Sequence, residues 1–449
     1  MRAVVLGGGM AGLAAAWGLR RAGARVVLFD DAPSPGGRAA GFRDRGYSFD
    51  PFPRPLAADD AEIARLCEAW SGQPLPRQRI ATRFLVDGRF LRFPLDPRDL
   101  FGPQGLTVAA AALAGPLQRR LGRRPAPVPD FRTAMIARAG AALFEGCFGP
   151  YVEKLTGVAA ADLSGDLTRR FLPPGGLLRS FVRRAFGGDD EAVEMIYPEH
   201  GLMAIPEGLA RALQRAGVEI LARHRVMRLA VGGAGISEVA AEGPSGIVRC
   251  APDLVVSTLP ITALLEALDG IDVAGGRAAL QGMRFRSAVQ VFLGVRRDRL
   301  TADHTLYVPD GTVRFHRLSE MVNFAPRMAP RGATGLCAEI ACDADDAVWS
   351  EGDAGQVRRA IDDLCFLGFL RSTSEVEAAW VRRDRDAEPV ETQGHGEAVR
   401  AIDLLLAGIP NLQRCGAQGI FPDPGAVAAL RAGLETAAAA AAASPARAA

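Results

Sequence analysis

Residues 7–12 read Gly7-Gly8-Gly9-Met10-Ala11-Gly12, and an acid, Asp30, follows Gly12 by 18 residues. Glycines at these spacings suit a diphosphate. Gly7 permits a tight turn, Gly9 lets the backbone approach a pyrophosphate with no Cβ in the way, and Gly12 lets a helix lie close to a sheet. Met10 and Ala11 open that helix, whose free N–H groups and positive dipole end favour an anion. Asp30 stands near the distance, about 20 residues, at which an acid accepts hydrogen bonds from an adenosine ribose. For these residues to act together, a strand must precede the glycines, a helix must follow, and a second strand must end on the acid. The chain supplies each in turn: apolar Ala3 to Leu6, an Ala/Leu run closed near Gly23, and Arg25 to Phe29. A GxGxxG alone is weak among 51 glycines. A complete β-α-β unit with the acid in register points to dinucleotide binding rather than to a ligand-free glycine turn in a doubly wound sheet.

Six residues past Asp30 come Gly36-Gly37-Arg38. A bare nicotinamide fingerprint does not need this tail. It resembles the large flavoprotein group with the pattern acid-x5-GGR, in which the second glycine pair and the arginine lie along the FAD diphosphate. The resemblance therefore implies FAD as cofactor.

Composition bounds the rest. A chain of 449 residues exceeds the size of one core, about 250–300 residues, so two or three domains are expected. The net charge of +2 implies no nucleic-acid partner. Seven cysteines without a CxxC pair argue for a reducing, cytoplasmic setting without disulfides or zinc. Five scattered histidines, with neither HxxxH nor GxSxG, remove most support for metal-dependent and serine hydrolases. The apolar N-terminus is broken by glycines, which suits a sheet better than a signal peptide. No run of 18 uninterrupted apolar residues occurs, so an integral membrane span is not expected. Thr107 to Leu117, followed by Arg119, Arg120, Arg123 and Arg124, has the composition for peripheral membrane contact. A cap helix with a solvated basic end is the favoured reading of that segment. The tail from Thr436 to Ala449 is Ala-rich and expected to fray.

Lysine and arginine total 53, and Lys154 is the single lysine. A compact ammonium there, where arginine serves elsewhere, reflects either a geometric need or chance. Its surroundings, Gly149-Pro150-Tyr151-Val152-Glu153-Lys154-Leu155-Thr156-Gly157 within Ala141 to Phe171, resemble the PYxxKxWG segment of the amine oxidase and protoporphyrinogen oxidase-like flavoproteins. That group is similar to UDP-galactopyranose mutase. Leu155-Thr156-Gly157 lacks the usual aromatic before the glycine, which leaves no stacking group there.

More of the chain resembles the same group in the same order. Leu85 to Leu95 matches its hairpin, and Tyr197-Pro198-Glu199-His200-Gly201 matches the return to the cofactor domain. In the strand-turn-strand Val218 to Leu229, Val226 would offer backbone contacts to adenine. Val255 to Pro260 matches a buried strand leaving that domain, and Leu306 to Glu339 matches the substrate-facing sheet. Gly416, in Cys415-Gly416-Ala417-Gln418-Gly419, would precede a helix aimed at the FAD. Three departures fall at the inferred flavin face. Asp50-Pro51-Phe52-Pro53-Arg54 replaces Asp-x-Gly-x-His, and its prolines remove two N–H donors. Gly416-Ala417 replaces Gly-Arg, and the following aromatic loop is reduced to Phe421-Pro422-Asp423-Pro424.

The expected fold is α/β. A Rossmann-like FAD-binding domain is assembled discontinuously from residues 1–55, 200–262 and 405–449, with a helical cap at 56–199 and a mixed-sheet substrate domain at 263–404. Within these, Ala61 to Trp70, Phe131 to Phe148 and Gln356 to Phe366 read as helices, and Ala288 to Val295 as a strand. The implied activity is an FAD-dependent oxidoreductase that oxidises a small or amphipathic biosynthetic intermediate by hydride transfer. No catalytic side chain is singled out. Phe148 and Tyr151 of the cap, with Arg54, Arg284, Arg286, Arg314 and Arg317, are candidate substrate contacts, since arginine forks suit a carboxylate or phosphate. A non-redox flavoenzyme like the sugar-nucleotide mutase, and a flavin-binding scaffold without catalysis, are the alternatives. The resemblance specifies neither the substrate nor an oligomeric state.

Overall fold

The strand Arg2–Leu6 is buried from Ala3 onward, and the next strand, Arg25–Phe29, from Val26 onward. Runs this apolar need cover on both faces, the condition met in a parallel sheet. A computed structural model, describing residues 1–53, 55–86, 88–93, 130–172, 194–416 and 425–443, places them at the centre of a five-stranded parallel sheet. Its order is Glu219–Leu221, Arg25–Phe29, Arg2–Leu6, Leu254–Ser257, Leu412–Arg414. Strands from residues 1–55, 200–262 and 405–449 thus lie side by side.

Alternate residues feed two cores. Ala3, Val5, Val26 and Leu28 pack with the helices Met10–Arg21, Ala204–Arg215 and Ala426–Ala443. Val4, Leu6, Val27 and Phe29 pack under the strands Arg225–Gly232 and Gly235–Gly243 and the helices Ile261–Ala267 and His395–Ala407. Among the described residues, Ala426–Ala443 is one helix long and apolar enough to cross a membrane. Its small residues instead seat it on Met10–Arg21, where a Cβ on Gly433 would stand 2.2 Å from the Ala11 carbonyl oxygen and one on Gly18 would stand 2.6 Å from the Ala437 Cβ.

The second large unit is a seven-stranded sheet in the order Val376–Val390, Arg284–Val295, Thr334–Cys342, Arg317–Glu320, Thr305–Tyr307, Thr82–Val86, Arg89–Arg92. An aromatic knot joins it to residues 42–49, which follow the first β-α-β unit. The Phe42 and Phe292 rings meet edge-to-face at 5.1 Å, and Phe49 lies 5.2 Å from Trp380. Tyr47 donates to Glu377 (2.7 Å) and Trp380 to Asp44 (2.8 Å) at the rim of this contact.

The stretch expected as a helical cap is only partly helical. Thr82–Val86 and Arg89–Arg92 form the edge hairpin of the seven-stranded sheet, while Leu56–Ala57 and Arg77–Gln78 pair with Met195–Ile196. The helix expected over Phe131 to Phe148 is interrupted. It stops at Ala139 because Gly140 takes φ +88°, then restarts through Phe144–Phe148 into Gly149–Thr156, which ends at Gly157 with φ +64°. Such φ values cannot continue a right-handed helix. The expected helix near Gln356 runs from Asp353 to Phe366. The segment Thr107 to Leu117 and its following arginines lie outside the described residues.

Candidate flavin site

Where the central strands end, the chain leaves a cleft of about 1380 Å³. Gly7, with φ +96°, turns off the first strand and donates to Phe29 O at 2.8 Å. Thr258, from the loop after Leu254–Ser257, anchors the turn by donating to Leu6 O at 3.0 Å and Gly7 O at 3.3 Å. A Cβ on Gly12 would lie 2.0 Å from Gly7 O, so only glycine lets the helix start this close to the strand. By contrast, a Cβ on Gly9 would meet nothing within 4 Å. Gly9 caps Met10–Arg21 without a side-chain hydrogen bond, so the first-turn N–H groups are left for a ligand.

The second glycine pair lies against the first. Gly36 N donates to Gly8 O at 2.8 Å, and Gly37, with φ +56°, brings its backbone beside Gly9, where a Cβ would be 3.1 Å from the Gly9 Cα. Arg38 follows, its guanidinium 4.5 Å above the centre of the Phe52 ring and 3.3 Å from Glu388. Gly416, with φ +82°, closes in on Ala11 from the far strand. Gly7, Gly9, Met10, Ala11, Asp30, Gly36, Gly37, Arg38, Val226 and Gly416 all line the cleft, while Gly12 sits just beneath it.

Asp30 is 8% exposed; its Oδ1 accepts from Ala32 N at 3.3 Å, and its Oδ2 is buried with no well-formed hydrogen bond. Burial pushes its pKa up to about 6, with neighbouring Asp31 adding to the rise and the backbone N–H groups of Ala32 and Gly8 opposing it. A buried carboxylate oxygen without a well-placed donor is costly unless something supplies one. The hydroxyls of a ribose are such donors. With the open space at Gly9 and the uncapped helix, the residues fit the nucleotide half of a flavin cofactor.

The opposite wall is one that the sequence reading did not single out. It carries Arg382, Asp384, Arg385 and Asp386 of the long strand Val376–Val390, with Phe52 and Leu202 beside them. A β-bulge between the Ala288–Asp384 and Arg286–Glu388 pairs turns Arg385 and Asp386 to the cleft together, and Ser287 Oγ holds the bulge by donating to Arg385 O at 2.6 Å. A bulge is defined by the register with the partner strand, which the pattern of one strand does not contain. Arg382 reaches across to donate to Ala40 O at 2.8 Å.

The proline loop is clamped from three sides. Asp50 is 1% exposed and accepts from Tyr197 Oη, from Leu202 N at 2.6 Å and from Met203 N at 3.3 Å. Burial raises it too, to about 6. Gln290 Nε2 donates to Pro51 O, and Phe52 lies under Arg38. Tyr197 of the Tyr-Pro-x-x-Gly segment thus serves to hold the loop that departs most from the family pattern.

The candidate substrate residues take other places. Phe148 and Tyr151 are 3% and 4% exposed, in an aromatic cluster with Phe84, Phe171 and Tyr307. Arg317 forms a buried two-pronged pair with Glu339, at 2.7 and 2.6 Å. Arg284 and Arg286 share Asp343, and Arg314 binds Glu351. Arg54 lies outside the described residues, as do Ala417 to Pro424. Lys154 spends its ammonium on two backbone carbonyls, Val308 O at 3.0 Å and Asp310 O at 2.6 Å, and burial lowers it to about 8.

The cleft lies between a doubly wound sheet and a large mixed sheet, and its glycine-rich wall fits a dinucleotide. The flavin-containing amine oxidoreductase family matches residues 10–390, and the chain belongs to that family. It is 26% identical over 285 residues to a phytoene dehydrogenase of Streptomyces griseus, a match covering 57% of this chain and 54% of that protein, so it spans about half of that curated relative. Its fold is similar to that of reduced UDP-galactopyranose mutase (TM-score 0.79, 17% identity, 99% of this chain and 96% of the other). It is also similar to a protein assigned as protoporphyrinogen oxidase from Exiguobacterium (TM-score 0.76, 19% identity, 98% of each chain).

Proposed function

We propose that the protein is an FAD-dependent oxidoreductase acting on a small, neutral or amphipathic intermediate. In this reading the diphosphate lies over Gly9 and the first turn at Met10 and Ala11, with Gly36, Gly37 and Arg38 along its other side. Asp30 accepts the ribose hydroxyls, Val226 meets the adenine through its backbone, and Gly416 stands near the ring-bearing half. The observation that carries the reading is the buried Oδ2 of Asp30, which makes no well-formed hydrogen bond within the chain and lies against Gly8, where a Cβ would come within 2.3 Å of it.

When bound, a flavin would supply two-electron redox chemistry at a substrate C–H bond. The chain's own residues hold the geometry: Asp50 and Gln290 fix the proline loop, and Phe52 gives the cleft an apolar wall that excludes water. The described arginines considered for an anionic substrate, Arg284, Arg286, Arg314 and Arg317, each have a carboxylate partner. That pairing favours a substrate without phosphate over a nucleotide sugar. The seven free cysteines suit a reducing cytoplasm.

The test is the spectrum of the freshly purified protein. Flavin absorption between 350 and 500 nm, roughly the range of an oxidised isoalloxazine, that bleaches when a substrate is added without oxygen is the expected result. Colourless protein that takes up no FAD would overturn the reading. Turnover of a UDP-sugar that needs dithionite-reduced protein would replace it with the mutase-like one.

A further inference from the structure

In the run Pro51-Phe52-Pro53 the two prolines have no N–H, so this stretch of loop carries a single backbone donor, that of Phe52. The Pro51 carbonyl just before it is held from the sheet below. Gln290 Nε2 donates to it, and Cys337 Sγ stands 3.9 Å away. Gln290 and Cys337 share one face of the seven-stranded sheet, because Gln290 alternates with Phe292 and Phe292 lies opposite Cys337. The carbonyl therefore points at the sheet. The bond between Pro51 and Phe52 is not an X–Pro bond, so it is planar and trans, with its N–H opposed to its C=O. The Phe52 N–H is thus aimed out from the sheet, toward the cleft that Phe52 and Arg382, the cross-strand neighbour of Gln290, both line.

Phe52 is 7% exposed, and its N–H has no hydrogen-bond partner among the described residues. A buried amide left unpaired is rare and costly. This one is not free to turn toward a partner elsewhere. Asp50 is clamped by Leu202 N and Met203 N, the Phe52 ring is packed on Ala288 and Ala387 under the Arg38 guanidinium, and the prolines on either side fix φ.

We propose that the Phe52 N–H is a preorganised donor to the ring half of the cofactor: it donates to a carbonyl oxygen of the isoalloxazine, with Gln290 as the positioning residue that aims it. This rests on the reading that FAD occupies the cleft. The ring's carbonyl oxygens gain electron density when it takes up two electrons, so a donor fixed on one of them binds the reduced form more strongly than the oxidised form. The loop would in this way raise the tendency of the flavin to accept electrons.

The experiment measures the reduction potential of FAD in intact holoenzyme by equilibration with a redox dye. Q290L takes the donor from the Pro51 carbonyl and leaves the peptide unaimed, and F52P removes the N–H itself. Each should make two-electron reduction about tenfold less favourable, a fall of about 30 mV. F52L, which keeps the amide and loses the ring, should stay within about threefold of the unmodified equilibrium. FAD content per folded molecule should hold in all three, since the nucleotide half is untouched. Q290L or F52P within threefold of the unmodified protein, a rise in either, F52L falling as far as F52P, or loss of flavin from both Q290L and F52P would each overturn the proposal. Should one of Q290L and F52P not fold, the other decides the matter. Unmodified protein that carries no FAD would instead sink the functional reading on which it stands.

Discussion

Asp30 ties a titration to a ligand. In the folded, ligand-free chain its carboxyl holds a proton up to about 6, against an ordinary value of 3.8, because burial penalises the charge. Between those values the folded state binds more protons than the unfolded one, so this group's contribution to stability falls as pH rises from 3.8 to about 6. A ribose hydroxyl donates to the ionised form, so FAD affinity should run the opposite way. We expect FAD to bind about tenfold more weakly at pH 5 than at pH 7, with D30N weak and flat across the same range. A titration by flavin fluorescence quenching checks this, and a flat profile for the unmodified protein would count against the role of Asp30. Lys154 shows how far residue type alone carries: the single lysine marked a special place, and its two backbone acceptors explain the ammonium without any cofactor.

Among elements, the junction of the first strand and helix separates folding from binding. Gly12 and Gly9 are three residues apart, yet a methyl group on Gly12 would strike Gly7 O at 2.0 Å while one on Gly9 meets open space. Gly9 has φ −68°, which alanine adopts freely. G9A should therefore fold with an unchanged denaturation midpoint and lose flavin, since the methyl occupies the diphosphate's approach. G12A should lose stability by about 1–3 kcal/mol, the usual penalty for overpacking, and flavin with it. Urea unfolding and flavin content on the two variants distinguish these outcomes. Both glycines were legible as a motif. The bulge that delivers Arg385 and Asp386 to the opposite wall was not, because it depends on a distant strand that sets only Ser287 against the three residues Arg385 to Ala387.

For the molecule as a whole, the Arg317–Glu339 pair locks two central strands of the seven-stranded sheet beneath the cap. E339Q leaves a buried guanidinium without its counter-charge, which should cost about 3–5 kcal/mol in chemical denaturation while leaving flavin content per folded molecule unchanged. A raised KM at unchanged stability would return Arg317 to the substrate site.

Local order determined the nucleotide half: glycine spacing, the apolar strands and the acid at a strand tip are contiguous in the chain, and their physics is that of one β-α-β unit. The pairing of distant charges was decided by tertiary structure. Glu388 meets Arg38 and Arg170, Arg317 meets Glu339, and Tyr197 meets Asp50 only once separate sheets and the cap are packed together. An arginine's type advertises an anion, but whether that anion is a substrate or a neighbouring carboxylate depends on which strand folds beside it.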